Sequence, residues 1–252
     1  MYKKGDVFYH IGLKEGDIGR YVLLPGDPFR TDIIAQSLDN PRLVAHQREH
    51  KTWTGTLNGE KVSVTSTGMG CPSTAIAVEE LIAAGADTFI RVGTAGRVAA
   101  PAHDGGVSGT IVTAAIRDEG TTTQYLPIEY PAVADRRVVQ ALAEAADKLG
   151  YRFLEGITHS KDSFYTQVFP DAVPAGELWQ ARQKIWQRAN VMCSEMESAA
   201  IFVISSIRGC RASGVMAFSD ASDQAAEVAK AIDTACEAIK ILIAMDKQRG
   251  GN

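Results

Sequence analysis

The chain has 252 residues, of which 45% are hydrophobic and 22% charged, with a formal net charge of −4 at pH 7. That length can bury a sizeable core as one large domain or two small ones. The mild acidity argues against a general nucleic-acid binder, which is usually basic. No apolar run approaches the roughly 20 residues that a membrane span needs.

The N-terminal stretch MYKKGDVFYHIG carries two lysines but no apolar core or small-residue cleavage site, so no signal peptide is expected. Cys71, Cys193, Cys210 and Cys236 are isolated and show no CxxC spacing. They read as reduced thiols of a cytoplasmic protein. The histidines form no HExxH-like pattern, so no transition metal is expected.

Residues 1–19 read as an irregular arm, with His10 between Tyr9 and Ile11. Tyr21 to Leu24 is a short apolar strand. In the following Pro25-Gly26-Asp27-Pro28-Phe29-Arg30, Asp27 suits an N-cap and Pro28 the first turn of a helix reaching about Ser37. Capping does not account for Gly26 and Arg30 together. A glycine amide and a guanidinium one turn into a helix can both face an anion. Val44 to Leu57 is strand-rich and contains Arg48-Glu49, by default a solvated pair. Asn58-Gly59 turns it into a strand over Lys61–Ser66.

The stretch Ser66–Arg97, STGMGCPSTAIAVEELIAAGADTFIRVGTAGR, organises the chain. Gly68 and Gly70 allow a tight turn, and Pro72 suits a helix start. Ala75, Val78 and Ile82 share one helical face, with Glu79 and Glu80 elsewhere, and Gly85 fits a C′ stop. Thr88 to Val92 is a second buried strand, which places Arg91 just before Gly93-Thr94-Ala95-Gly96, read as a second glycine turn. Turn amides, a helix start, Arg91 and the Thr94 hydroxyl together make an anion-friendly pocket at strand ends, where α/β sheets bind ligands. A dinucleotide fold would need a third glycine at position 73, which is Ser73, and an acidic residue ending the next strand; both are absent.

A loop over Ala99–Gly109 precedes a strand over Thr110–Ala115 and an irregular excursion from Arg117 to Tyr130. A helix over Arg136–Leu149 ends at Gly150. A strand over Phe153–His159 leads into Ser160-Lys161-Asp162-Ser163-Phe164-Tyr165. Phe164 and Tyr165 suit either plain core or base stacking. Residues 166–177 are a loop, and Glu177–Arg188 is a mobile amphipathic helix. Ser194-Glu195-Met196-Glu197 fits the S-x-x-E capping box before an apolar helix over Ser198–Ile207, so Glu197 reads first as a cap. A last strand, Ser213–Phe218, ends in Ser219-Asp220. The final helix, 223–246, buries Ala226, Ala229, Ile232, Ala235, Ile239 and Leu242. Strands and helices alternate throughout, which predicts one domain over residues 1–252. Its class is α/β, a three-layer α/β/α with a twisted central mixed sheet.

The stretches DVFYHIGL, PGDPFR, HQREHKTW, STGMGCPSTAIAVEEL, FIRVGTAG, IEYPAVAD, KDSFY and SEMESAA span nearly the whole chain. Together they resemble the uridine phosphorylase branch of the hexameric nucleoside phosphorylase family. The resemblance implies reversible phosphorolysis, in which nucleoside and phosphate give free base and ribose 1-phosphate. Gly26, Arg30, Arg91 and Thr94 match phosphate residues, and Arg48 matches one donated across a dimer interface. His10 matches a histidine that reaches a neighbour's ribose 5′-hydroxyl. Met196 and Glu197 match a ribose-contacting pair, with Glu195 beside them. Phe164 and Gln167 match base-site positions. Glu49, Met69 and Ser73 match residues around a potassium ion at the dimer interface of some members. No cofactor is required besides the co-substrate phosphate. The family assembles from dimers, commonly as a hexamer of three. Arg30, Arg91, Glu197 and Asp220 are the residues to which the resemblance gives catalytic work.

Two positions depart from the uridine-cleaving pattern. Ala172 stands where a uracil-reading arginine is expected, with Arg117 and Arg182 as nearby candidates to replace it. Ser219-Asp220 is similar to the purine-cleaving members, where the aspartate protonates the base. A purine or broad-specificity phosphorylase is therefore the alternative, and a nucleoside-binding protein with little turnover is a reading of another class.

Overall fold

The computed structural model describes residues 5–100 and 106–250. Strand β1 (Tyr21–Leu24) leads to helix α1 (Pro28–Ala35), and β2 (Asp39–Gln47), β3 (His50–Leu57) and β4 (Glu60–Thr65) form a meander. Helix α2 (Cys71–Ala83) returns to β5 (Thr88–Arg97), followed by β6 (Val107–Asp118), β7 (Ala132–Val133), α3 (Arg136–Leu149) and β8 (Arg152–Lys161). The chain ends in α4 (Tyr165–Val168), α5 (Gly176–Arg188), β9 (Cys193–Glu195), α6 (Ser198–Ile207), β10 (Arg211–Phe218) and α7 (Gln224–Gly250).

The strands join one mixed sheet in the order β10-β6-β8-β9-β5-β1-β4-β3-β2, with β7 on the side of β6. Because β10 also pairs with β5, the half of the sheet containing β6, β8 and β9 closes on itself. One apolar core packs α2, α6 and the N-terminal arm on one face, through Ile11, Leu13, Val78, Leu81, Ile201 and Phe202. The other packs α1, α3 and α7 on the opposite face, through Ile34, Leu142, Ile239 and Leu242. The predicted three-layer arrangement follows from these two cores. Strand alternation decides which side chain meets which layer. In β5, Phe89 enters the first core, while Ile90 and Val92 enter the second. Arg91 therefore faces the α2 and α6 layer.

Local signals hold where the backbone alone decides. Asp27 caps α1 by accepting from Phe29 N at 2.9 Å. Gly68, Gly70, Gly85 and Gly150 all take positive φ. Several readings need correction. Gly93-Thr94-Ala95-Gly96 is not a turn but the second half of β5. Gly93 makes room: a Cβ there would lie 2.8 Å from Met216 Sδ and 3.1 Å from Arg91 Cζ. Strand β6 starts earlier and runs longer than Thr110–Ala115, and part of the loop read over Ala99–Gly109 lies outside the described residues. Strands β7 and β9 are too short to carry a periodic signal. Residues 166–177 include α4 and a 3-10 turn at Pro170–Ala172. Ala229 is exposed, and the buried stripe of α7 instead includes Ala231 and Ala238.

Glu80 is buried rather than solvated. Its carboxylate accepts from the N–H groups of His10 and Ile11, each at 3.0 Å, and lies 2.7 Å from His10 Nδ1. A helix carboxylate thus anchors an arm that forms no helix or strand among the described residues. Glu80→Ala leaves those donors without their acceptor and should cost about 1.5–3 kcal/mol. Urea unfolding of both proteins measures it, and the arm should become the first protease-sensitive segment.

Candidate active site

The site begins where β1 stops. Leu24 is the register partner of Arg91, and Pro25-Gly26 then leads the chain away into α1. Strand β5 continues to Arg97, and β9 takes the vacated edge in antiparallel register, Gly96 opposite Ser194 and Arg97 opposite Cys193. This exchange of neighbours carries Glu195 and Glu197 to Arg91.

Arg91 is buried, and its Nε donates to Glu195 Oε2 at 2.9 Å while Nη2 donates to Glu197 Oε2. Its Nη1 is buried with no hydrogen-bond partner among the described residues. Glu195 Oε2 also accepts the N–H groups of Glu197 and Ser198, both at 2.9 Å, and Oε1 accepts from Ser160 Oγ. Glu197 Oε1 accepts from Gly70 N at 2.7 Å, across the glycine turn that precedes α2. Arg30 is half-buried and has no carboxylate within 4.0 Å among the described residues.

These groups line a cavity of about 1020 Å³. At one end are Gly26, Arg30, Arg91 and Thr94; Met196 and Glu197 line its wall; Phe164 and Gln167 line the part formed by β8 and α4. A smaller cavity of about 350 Å³ shares Lys161, Gln167 and Gln183 with it and is walled by Trp179, Arg182 and Trp186. One end is thus cationic, the middle carries buried carboxylates, and the far part is aromatic and amide-bearing.

The sequence profile described as the phosphorylase superfamily matches residues 20–245. The chain belongs to the phosphorylase superfamily. It is 46% identical to a uridine phosphorylase of Treponema pallidum (strain Nichols), covering 97% of both chains. It is 45% identical to a uridine phosphorylase of Thermococcus kodakarensis, covering 96% of this chain and 88% of that one. It is also 36% identical to a guanosine phosphorylase of Halorubrum lacusprofundi, covering 82% of this chain and 80% of that one.

In this superfamily member, the cavity brings together Gly26, Arg30, Arg91, Thr94, Phe164, Gln167, Glu195, Met196 and Glu197. Glu49, Met69 and Ser73 line its rim, where Ser73 Oγ donates to Glu49 Oε1 at 2.7 Å. Arg48 lies apart, exposed on the turn between β2 and β3. His10 lies apart as well, held on Glu80. Asp220 is exposed and accepts from Arg97 Nε at 2.9 Å; Ser219 rather than Asp220 lines the cavity. The arginine near Asp220 therefore comes from β5, not from the chain after it. Arg117 lines the smaller cavity, and it donates to Thr122 Oγ1 and to the carbonyls of Thr122, Leu126, Pro127 and Tyr130, which pins the excursion 117–130. Arg182 donates to Asp118 and stacks over Trp179.

The capping box is also replaced. Glu195, not Ser194 with Glu197, accepts the first amides of α6, and Glu197 makes no capping bond. Ser194 is committed to β9, and its Oγ donates to Gln167 Oε1 at 2.9 Å. Lys161 was a further residue in the KDSFY stretch with no role read for it; it is buried and lines both cavities.

The charges divide unequally. Burial opposes ionisation of Glu195, but Arg91, Ser160 and two backbone amides hold its carboxyl below the usual carboxylate range. Burial pushes Glu197 above that range against the pull of Arg91, and the negative Glu195 pushes it further. Burial also works against the Arg91 charge, which Glu197 and Glu195 more than offset. Burial and the nearby Arg91 both disfavour the Arg30 charge, opposed by Asp27.

The signs give a test. The stability from Glu195 is present above the ordinary carboxylate pKa and lost as pH falls through its lowered folded value. That from Glu197 is present below the ordinary pKa and lost as pH rises through its raised folded value. Glu195→Ala removes a buried partner of Arg91 and should destabilise by about 3–5 kcal/mol. Glu197→Gln should gain stability relative to wild type as pH is raised from about 5 to 8. Urea unfolding of the three proteins at both pH values measures these differences.

Proposed function

We propose that the protein is a uridine phosphorylase, converting uridine and phosphate to uracil and ribose 1-phosphate. The observation that carries the reading is that Arg30, with no carboxylate partner, and Arg91, whose Nη1 has no hydrogen-bond partner, line the same cavity, both absences holding among the described residues. Two guanidinium groups facing one cavity repel each other and lose hydration, a cost that a bound phosphate dianion reverses. The Gly26 amide and Thr94 hydroxyl add neutral donors at the same end.

The remaining groups fit glycosidic cleavage. Phosphate held beneath the anomeric carbon attacks as the bond to the base breaks, and the ribose passes through an oxocarbenium-like state. Positioning of this kind contributes up to roughly 7–11 kcal/mol in ideal cases. Glu197 holds the ribose hydroxyls and, as a carboxylate, favours the positive charge developing on the sugar. Burial raises its pKa against the pull of Arg91 and of the Gly70 and Met196 N–H groups, and ribose hydroxyls that donate to it add support for the ionised form. Phe164 stacks on the base and Gln167 reads its edge. A purine reading needs Asp220 as a donor to the base, but its carboxylate is engaged by Arg97 outside the cavity wall. Uridine is therefore favoured.

The working unit is proposed to be a dimer, assembled into a hexamer of three dimers in the cytoplasm. Arg48 is exposed, away from its own chain's cavity, as a residue given to a neighbour must be. His10 uses Nδ1 on Glu80, which leaves Nε2 for a second chain's ribose. Glu49, Ser73 and the carbonyls near Met69 are hard oxygen donors, chemically suited to an alkali cation. One chain supplies only part of a coordination sphere, so a potassium ion there would join two copies and take no part in the reaction.

Incubating the enzyme with a nucleoside panel, with and without phosphate, tests the activity: uracil release from uridine should require phosphate and yield ribose 1-phosphate. Arg30→Ala should raise KM for phosphate roughly 10–100-fold, the equivalent of about 1.5–3 kcal/mol for a charged hydrogen bond. Unchanged phosphate kinetics in that variant would remove Arg30 from the site. The shared site has its own test. Arg48→Ala and Arg30→Ala proteins, each of low activity, should recover activity when dissociated and reassembled together; no recovery in verified hybrids contradicts donation across the interface.

A further inference from the structure

We propose that Lys161 is the cation that receives the negative charge of the departing base, in place of the arginine missing at Ala172. The inference rests on the uridine phosphorylase reading and deepens it by naming the group that holds the leaving base. Phosphorolysis of uridine forms a bond from a phosphate oxygen to C1′ and breaks the bond from C1′ to N1. The electron pair passes to N1 and spreads onto the pyrimidine carbonyl oxygens. The base finally gains a proton and the phosphate loses one, so no other reactant is needed. Between those events a carbonyl oxygen carries charge that needs a donor.

Five observations place Lys161 there. It ends β8, three residues before Phe164, and lines both the main cavity and the smaller one beside it. Its Nζ donates to Ser194 Oγ at 2.7 Å, and that hydroxyl donates to Gln167 Oε1 at 2.9 Å, so ammonium and amide belong to one network. An ammonium has three donors; Lys161 has no other hydrogen-bond partner and no carboxylate within 4.0 Å among the described residues. Arg117 and Arg182 also line the smaller cavity, but Arg117 donates to backbone carbonyls and Arg182 to Asp118 at 2.8 Å, and neither lines the main cavity. Ala172 is exposed on its 3-10 turn and lines neither cavity.

Burial supports the same role. It pulls the Lys161 pKa below the ordinary lysine value, against the more distant pull of Glu195, Glu197, Cys193 and Asp118. A buried ammonium without a paired carboxylate is costly to keep unless an anion forms beside it. The adjacent Asp162, just past the end of β8, makes no ion pair with Lys161 among the described residues. Its Oδ2 accepts from Gly120 N at 2.9 Å instead.

The test compares wild type, Lys161→Met and Lys161→Arg on uridine and on 5-fluorouridine, whose base leaves as a more stable anion. Methionine keeps the volume without the charge, so the fold should persist, which thermal melting checks. Loss of one preorganised donor to a developing anion costs roughly 10²–10³-fold in kcat. Lys161→Met should lose that much on uridine and at least about tenfold less on 5-fluorouridine, with KM for phosphate unchanged. Lys161→Arg should recover part of the uridine activity. Equal losses on the two nucleosides, or no loss, in a folded variant overturn the leaving-group role while leaving the uridine reading intact. A wild-type enzyme that does not cleave uridine in phosphate refutes that reading, and the role of Lys161 with it.

Discussion

A guanidinium taken out of water must find partners for all its donors, and Arg91 finds them for only part of its fork. Glu195 and Glu197 hold Nε and Nη2, and Nη1 has no partner among the described residues. The rest of the site depends on this incomplete pairing. Were both carboxylates fully ionised and Arg91 alone, the buried charge would be net negative and would repel a phosphate. Arg30 restores the balance from α1, and Glu197, pushed toward its neutral form, reduces the negative charge further. On the proposed reading, this balance suits an anion beside a developing sugar cation.

The sheet makes this pairing available. Strand β5 outlasts β1, and the freed edge is taken by β9, whose last residue is Glu195. One carboxylate then performs two tasks: Glu195 steadies Arg91 and accepts the first amides of α6. Glu197 is released from capping and points to Gly70 and Arg91 instead. Helix stability and charge placement are thus separated onto neighbouring residues, which is why substitutions at the two positions should differ in kind. The same packing fixes Gly93. A side chain there would press on Met216 and on the Arg91 guanidinium that the strand exists to present.

Much of this was legible in the residues themselves. The Asp27 cap, the positive-φ glycines at 68, 70, 85 and 150, and the alternation of β5 are local properties, and local physics fixes them. The phosphate-end and base-end residues were legible because their motifs resemble a family, not because spacing alone requires a site. What the sequence concealed is tertiary. Gly93 and Gly96 look like turn residues, but neither takes an unusual φ, and the strand uses Gly93 for room. The S-x-x-E pattern looks like a capping box until Ser194 is drawn into β9. Glu80 looks like a solvated helix residue because only the folded arm supplies its donors. Lys161 and Asp162 are neighbours in sequence, but the fold gives them separate partners, Ser194 and the Gly120 N–H. In each case a short or charged segment takes its meaning from a partner distant in sequence.

The central claim is that the unfilled part of the Arg91 fork and Arg30 form the phosphate site. A crystal structure of the enzyme with phosphate and a non-cleavable uridine analogue tests it most directly. The account predicts phosphate oxygens within hydrogen-bond distance of Arg91 Nη1 and the Arg30 guanidinium, with Glu195 still on Arg91 and Glu197 on the ribose hydroxyls. Phosphate bound elsewhere in the cavity, with Arg91 Nη1 left unpartnered, would contradict it.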